Sequence, residues 1–181
     1  MSLEIVMGPM FSGKSSYIYS IVKRYRALNI PVLVIKPSID VRYSADPEVV
    51  THDGVRFDCV TSGIELTTNV LGANKYDVVV IEEAQFFTNL VKCVTALVET
   101  YGKNVVVVGL DGDSNRKPFG ELLQCIPLAD KVTKLNALCA KCKDGTPALF
   151  TYRTAKEESQ VFVGGAQEYK PLCRACYTNA P

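Results

Sequence analysis

The chain has 181 residues, 48% of them apolar and 22% charged, with 20 Lys plus Arg against 19 Asp plus Glu. These proportions fit one ordinary globular domain with a small appendage and exclude disorder along the whole chain. A net charge of +1 argues against a protein that coats nucleic acid non-specifically.

From the N-terminus, Leu3 to Met7 is a short apolar run stopping at a glycine. It lacks the basic lead-in of a signal peptide, and no apolar run approaches the ~20 residues that cross a bilayer. A cytoplasmic protein with no membrane partner is expected. Ser15 to Leu28 carries Ile18, Ile21, Val22 and Tyr25 at helical spacing. Pro31 to Lys36 reads as a second buried strand. Between Asp40 and Gly63 the pattern breaks; Val49-Val50 and Arg56 to Val60 read as a hairpin arm outside the main sheet. Asp77 to Ile81 is a third strand, Thr88 to Tyr101 a helix, Asn104 to Leu110 a fourth strand and Lys131 to Leu135 a fifth. β-Branched strands alternating with helices predict an α/β fold whose parallel sheet is covered on both faces. Composition shifts near Asn136. Beyond it lie four of the seven cysteines and no convincing helix; Leu149 to Arg153 and Gln160 to Val163 suggest a short hairpin. Domains of 1–135 and 136–181 are expected.

Gly8-Pro9-Met10-Phe11-Ser12-Gly13-Lys14-Ser15 fits G-x-x-x-x-G-K-[ST] in full. It follows a predicted strand and opens a predicted helix, as a phosphate loop must. Glycines let backbone N–H groups point at phosphate oxygens, and the helix start adds its own donors. Lys14 is expected to reach the β- and γ-phosphates of ATP, and the Ser15 hydroxyl to ligate Mg²⁺.

The strand Val78 to Ile81 runs directly into Glu82-Glu83. Adjacent side chains of an extended segment point in opposite directions, so one carboxylate can face Mg²⁺ and the other an acceptor hydroxyl. Asp111, after the next strand, is a further candidate acid at the same sheet edge.

Cys139-Ala140-Lys141-Cys142 and Cys173-Arg174-Ala175-Cys176 are two C-x-x-C pairs. Two such pairs suit a tetrahedral Zn²⁺ whose closed shell makes it structural. Redox dithiols are the alternative. Cys59, Cys93 and Cys125 lack such spacing and read as buried small hydrophobes.

The chain resembles the type II, cytosolic-type thymidine kinases from Leu3 to Tyr177. The resemblance rests on the phosphate loop, Arg42-Tyr43-Ser44 with Thr51-His52-Asp53, Glu83-Ala84-Gln85-Phe86-Phe87 and Leu110-Asp111-Gly112. It continues through Arg116-Lys117-Pro118-Phe119-Gly120, the cysteine quartet, and Gly164-Gly165-Ala166 with Tyr169. It implies a P-loop kinase domain with a small C-terminal zinc-binding lasso domain, and transfer of the ATP γ-phosphate to the 5′-hydroxyl of thymidine. Glu83 lies where the family keeps its catalytic base and Phe86 where it packs an aromatic ring. Met10, Leu110, Phe119 and Tyr169 fall at thymine-pocket positions. Gln160 to Tyr169, including Phe162, Val163 and Gly164, matches the lasso that closes over the nucleoside. Arg153 matches an arginine near the acceptor phosphate, and Asp40 an acid that assists Mg²⁺ binding beside Glu82. A homotetramer and feedback inhibition by dTTP are also implied. The chain departs from the family at Glu82, where Asp is usual, and at Ser114, where an aromatic is common. The competing reading is a P-loop NTPase whose zinc ribbon acts on nucleic acid. The segment after Asn136 carries Lys141, Lys143 and Arg174 but also Glu157, Glu158 and Glu168, and has no arginine-rich stripe.

Overall fold

Valine-rich segments of the middle of the chain have too little polar character to face water on either side, and they assemble into a sheet buried on both. The computed structural model describes residues 1–40, 48–50, 54–68, 72, 75–155 and 159–180. Arg42-Tyr43-Ser44, Thr51-His52-Asp53, Glu157 and Glu158 lie outside the described residues.

The chain begins with β1 (Ser2–Met7), α1 (Lys14–Arg26) and β2 (Val32–Pro37). A hairpin of β3 (Glu48–Val50) and β4 (Arg56–Asp58) follows, then β5 (Val60–Ser62) and β6 (Val78–Ile81). A 3₁₀ turn at Ala84–Phe86 leads to α2 (Leu90–Thr95), which continues as a π-helical turn, Ala96–Thr100. Next come β7 (Asn104–Gly109), a 3₁₀ segment at Leu122–Leu128 and β8 (Lys131–Lys134). Among the described residues six strands form one all-parallel sheet in the order β5-β2-β6-β7-β1-β8. The expected α/β class with helices on both faces is therefore observed.

Strand alternation sorts the core into two layers. Leu3, Ile5, Ile35, Val79, Ile81 and Val107 face the α2 side, where they meet Leu90, Val94, Leu97 and Leu122. Val6, Val34, Val80, Val106 and Val108 face α1 through Ile18, Ile21 and Val22. Each fully buried aliphatic side chain contributes roughly 1.5–3 kcal/mol relative to exposure, so this double layer holds the strand ends rigidly.

Val60 departs from the expected arm. The antiparallel pairing of β3 with β4 forms the predicted hairpin, but Val60–Ser62 leaves it and pairs in parallel with Ile35–Pro37 as a sheet edge.

The C-terminal segment contains β9 (Ala137–Leu138) paired with β10 (Pro147–Ala148), and β11 (Phe150–Arg153) paired with β12 (Tyr169–Leu172). A short α3 (Arg174–Thr178) follows. Two expectations are corrected. The partner of Phe150–Arg153 is Tyr169–Leu172, not Gln160–Val163, which forms no strand. The segment also has a helix, capped by the Cys173 sulfur, which accepts from the Cys176 N–H. Ala137, Cys139, Ala148, Leu172 and Cys173 give it a small core of its own. Among the described residues no helix is long and apolar enough to cross a membrane.

Candidate active site

The sheet order brings the ends of β2, β6, β7 and β1 side by side. Met7 pairs with Gly109, and Ile81 with both Val107 and Ile35. The residues that follow these ends therefore converge on one edge, where ligands sit in open parallel sheets.

The loop Gly8–Ser15 turns from β1 into α1. Gly13 caps the helix at φ +83°, a left-handed conformation that glycine adopts without the Cβ clash. Lys14 is buried, and its ammonium donates to the carbonyls of Gly8 (3.1 Å) and Pro9 (2.7 Å). Ser15 Oγ donates to Glu82 Oε1 at 2.8 Å. Glu82, at 6% exposure, and Asp40 are both buried at this cleft, which Phe11, Ser12 and Gly13 also line. A carboxylate is kept at such depth only with charged or hydrogen-bonding partners, and the Ser15 hydroxyl is one. Ser15, Glu82 and Asp40 present hard oxygen donors of the kind Mg²⁺ takes.

Lys36 was not singled out by the sequence reading. It lies in this cleft at 5% exposure and donates to the Glu48 carbonyl at 2.8 Å. A lysine inside an otherwise apolar strand was the available signal. Asp111 behaves differently from expectation. Its carboxylate pairs with Lys134 at 2.6 Å and lines neither this cleft nor the one beside it.

The second cleft lies between the segments that follow β6 and β7 and residues 160–164. Met10, Leu110, Phe119 and Tyr169 form its buried apolar cluster, with Phe86 and Phe162 packed against it. Phe86 and Phe119 meet edge-on, ring centres 5.4 Å apart. Gly120 lets this loop close up: a Cβ there would lie 2.3 Å from the Gln85 carbonyl oxygen. Val163 and Gly164 line the opposite lip with Phe162. Tyr169 OH donates to the Phe162 carbonyl at 2.6 Å. The Arg153 guanidinium lies 5.6 Å from the centres of both the Phe162 and Tyr169 rings and donates to the carbonyls of Ser159 and Gln160. Arg153 thus ties down the 159–164 segment from within the cleft wall.

Glu83 lines both clefts, as do Met10 and Leu110. Glu82 and Glu83 do diverge, but not by strand alternation. Glu83 sits at φ +50° and opens the 3₁₀ turn, so the strand ends before it. Gln85, at 3% exposure, donates from Nε2 to Glu83 Oε2 at 2.5 Å and accepts the Leu110 N–H on Oε1 at 3.0 Å. Thr151 Oγ1 accepts the Met10 N–H at 2.9 Å and joins the C-terminal segment to the phosphate loop. Gln85 and Thr151 were not assigned roles from sequence, because the Leu110 and Met10 N–H groups that they accept lie 25 and 141 residues away.

The four sulfurs of Cys139, Cys142, Cys173 and Cys176 lie within 4.8 Å of one another. A tetrahedral Zn²⁺ with bonds of about 2.3 Å requires sulfurs about 3.8 Å apart. The Cys142 sulfur is 3.8 Å from that of Cys173 and 3.4 Å from that of Cys176. Backbone N–H groups of Cys173 and Cys176 point at the sulfurs of Cys139 and Cys173, the outer support that thiolate ligands need. The donor set fits a closed zinc site.

A thymidine kinase family model matches residues 1–177. Thymidine kinase a of Arabidopsis thaliana is 41% identical over 180 residues, covering 97% of this chain and 74% of its own. The thymidine kinase of Bacteroides thetaiotaomicron is 38% identical, covering 98% of this chain and 87% of its own. That of Sheeppox virus is also 38% identical, with 97% and 96% covered. With the two clefts and the sulfur cluster in place, these matches show that the chain belongs to the thymidine kinase family.

Proposed function

We propose that the protein transfers the γ-phosphoryl group of ATP to the 5′-hydroxyl of thymidine, giving dTMP and ADP. The observation that carries this reading is the position of Glu83 on the wall shared by the phosphate-loop cleft and the aromatic cleft. A carboxylate there can face a hydroxyl presented from one side and a phosphorus from the other.

In this reading Gly8 to Ser15 cradle the ATP phosphates through backbone N–H groups, and the Lys14 ammonium exchanges its loop carbonyls for phosphate oxygens. Ser15, Glu82 and Asp40 would hold Mg²⁺, which when bound neutralises charge on the β- and γ-phosphates. Met10, Phe86, Leu110, Phe119 and Tyr169 hold the base, while Phe162, Val163 and Gly164 close over it. Glu83 takes the proton as the 5′-oxygen forms its bond to the γ-phosphorus and the bond to the bridging oxygen breaks, releasing ADP. Arg153 faces the acceptor side, where charge appears on product. Cys139, Cys142, Cys173 and Cys176 would hold a structural Zn²⁺ that fixes the base of the lasso. Residues 1–135 act as the kinase domain and 136–181 as the lasso domain. Cytoplasmic homotetramers inhibited by dTTP in the acceptor cleft belong to the same proposal. The family assignment leaves the nucleic-acid alternative without support.

The test is Mg–ATP phosphotransfer to thymidine, deoxyuridine, deoxycytidine, deoxyguanosine and uridine, with Glu83→Gln alongside. Turnover of thymidine that collapses in Glu83→Gln is expected. ATP hydrolysis with no nucleoside phosphorylated would overturn the reading.

A further inference from the structure

The aromatic cleft has two lips from distant parts of the chain. One is the loop after β7, with Asp113, Ser114 and Phe119; the other is the lasso segment, with Gln160, Phe162 and Gly164. Their direct polar link is made by Gln160, whose Nε2 donates to Asp113 Oδ2 at 2.8 Å and to the Pro118 carbonyl at 3.3 Å.

Asp113 is built to receive this bond. It is 6% exposed. Its other oxygen, Oδ1, accepts the N–H groups of Asn115 (2.8 Å) and Lys117 (2.9 Å). Its own N–H donates to the Lys117 carbonyl, and its carbonyl accepts the Arg116 N–H. The carboxylate is therefore fixed in place before Gln160 reaches it. A hydrogen bond to an ionised acceptor is about twice as strong as one between neutral groups.

The lasso needs such a tie. Ser159, Gln160 and Val161 are exposed, and Phe162 to Gly165 only half-buried. A strap with so little apolar burial opens readily, which admits substrate, and its closed population is set by a few polar bonds.

We infer that Gln160 and Asp113 form a latch that positions the lasso over the acceptor nucleoside, making them positioning residues for acceptor binding with no part in the phosphoryl step. This inference rests on the thymidine-kinase reading for its ligand, and on the Gln160–Asp113 geometry for the latch.

The test is a charge swap. Gln160→Glu sets one carboxylate against another, whereas adding Asp113→Asn gives that carboxylate an amide donor again. Expected for Gln160→Glu is a rise in the thymidine KM of about tenfold, the effect of losing one charge-assisted bond. The KM for Mg–ATP should stay near wild type and kcat should change far less than the thymidine KM. The double variant should recover most of the thymidine KM. Amide hydrogen exchange without nucleoside should show residues 160–165 exchanging faster in Gln160→Glu and in Gln160→Ala, and slowing again in the double variant. Unchanged exchange in both single variants overturns the latch. So does a thymidine KM that rises in Gln160→Glu without rescue, or in step with that for ATP. If the wild type phosphorylates no nucleoside, the kinase reading fails, and the exchange comparison still decides the latch.

Discussion

The Gln85 side chain holds the Glu83 carboxylate with one end of its amide and the Leu110 backbone N–H with the other, at 2.5 and 3.0 Å. It is nearly fully buried, a Cβ at Gly109 would strike its amide oxygen, and its two ends face a carboxylate and an N–H, so its amide has one orientation. Glu83 is thereby fixed to the end of β7, the same backbone that supplies the acceptor wall.

Gln85→Leu keeps the volume and removes both bonds. It takes the acceptor from the Leu110 N–H and removes one hold on the Glu83 carboxylate. A lost bond to a charged group is worth about 1.5–3 kcal/mol, so kcat should fall roughly 10- to 100-fold while ATP binding holds. In a Glu83→Gln background the same change should cost little more, since the two residues act as one unit. Steady-state kinetics of the single and double variants check this; fully additive losses would place Gln85 outside the Glu83 unit.

What the sequence reveals here follows the range of the forces involved. The phosphate loop is legible because each fixed position answers to a local requirement, and the buried strands because four consecutive apolar residues such as Val78 to Ile81 suit no other setting. The misread pieces are those decided by distant partners. Val60–Ser62 is three residues long at a sheet edge, with too little burial to show a pattern. Gln160 to Val163 has strand composition, yet Phe162 and Val163 line a cleft, and the ladder goes to Tyr169–Leu172 despite Pro171. Proline is tolerated there because the ribbon has only two strands and an open edge. The five residues of α3 are too few for helical periodicity to appear. Lys36 left a signal, a lysine in an apolar strand, whereas Gln85 and Thr151 were invisible as site residues because tertiary structure brings them the Leu110 and Met10 N–H groups that they accept.

The seven cysteines should divide cleanly by reactivity. Burial pushes the thiols of Cys59, Cys93 and Cys125 up to about 11. Only the thiolate reacts, so at pH 8 about one in a thousand of these thiols is reactive at any moment, rising tenfold per pH unit. Brief alkylation of native protein followed by mass spectrometry should leave all three unmodified. Chelator treatment should expose Cys142 and Cys176 first, since they are the exposed and half-buried members of the quartet. Thymidine affinity should fall with that labelling while ATP binding persists. Full thymidine turnover in zinc-free protein would remove the structural role of the metal.

Tyr177 follows the last cysteine, and its hydroxyl donates to the Ser114 carbonyl at 2.5 Å. Its ring meets Tyr152 edge-on at 6.0 Å, and the Arg116 guanidinium lies 4.7 Å from its centre. Arg116 adopts φ +63° to reach this position. The helix that carries two of the four sulfurs is thus bound to the outer lip of the aromatic cleft. Tyr177→Phe removes the hydroxyl alone, at a cost of about 1 kcal/mol, and should lower Tm by roughly 2–4 °C. Tyr177→Ala also removes the cation–π contact, worth about 0.5–1 kcal/mol at an exposed site, and should lower Tm further. If the cysteine cluster supports the acceptor cleft through this contact, both variants raise the thymidine KM in that order, with zinc content and the ATP KM unchanged. A loss of zinc in Tyr177→Phe would mean that the tyrosine supports the sulfur site itself, and equal rises in both KM values would mean that it supports the whole sheet edge.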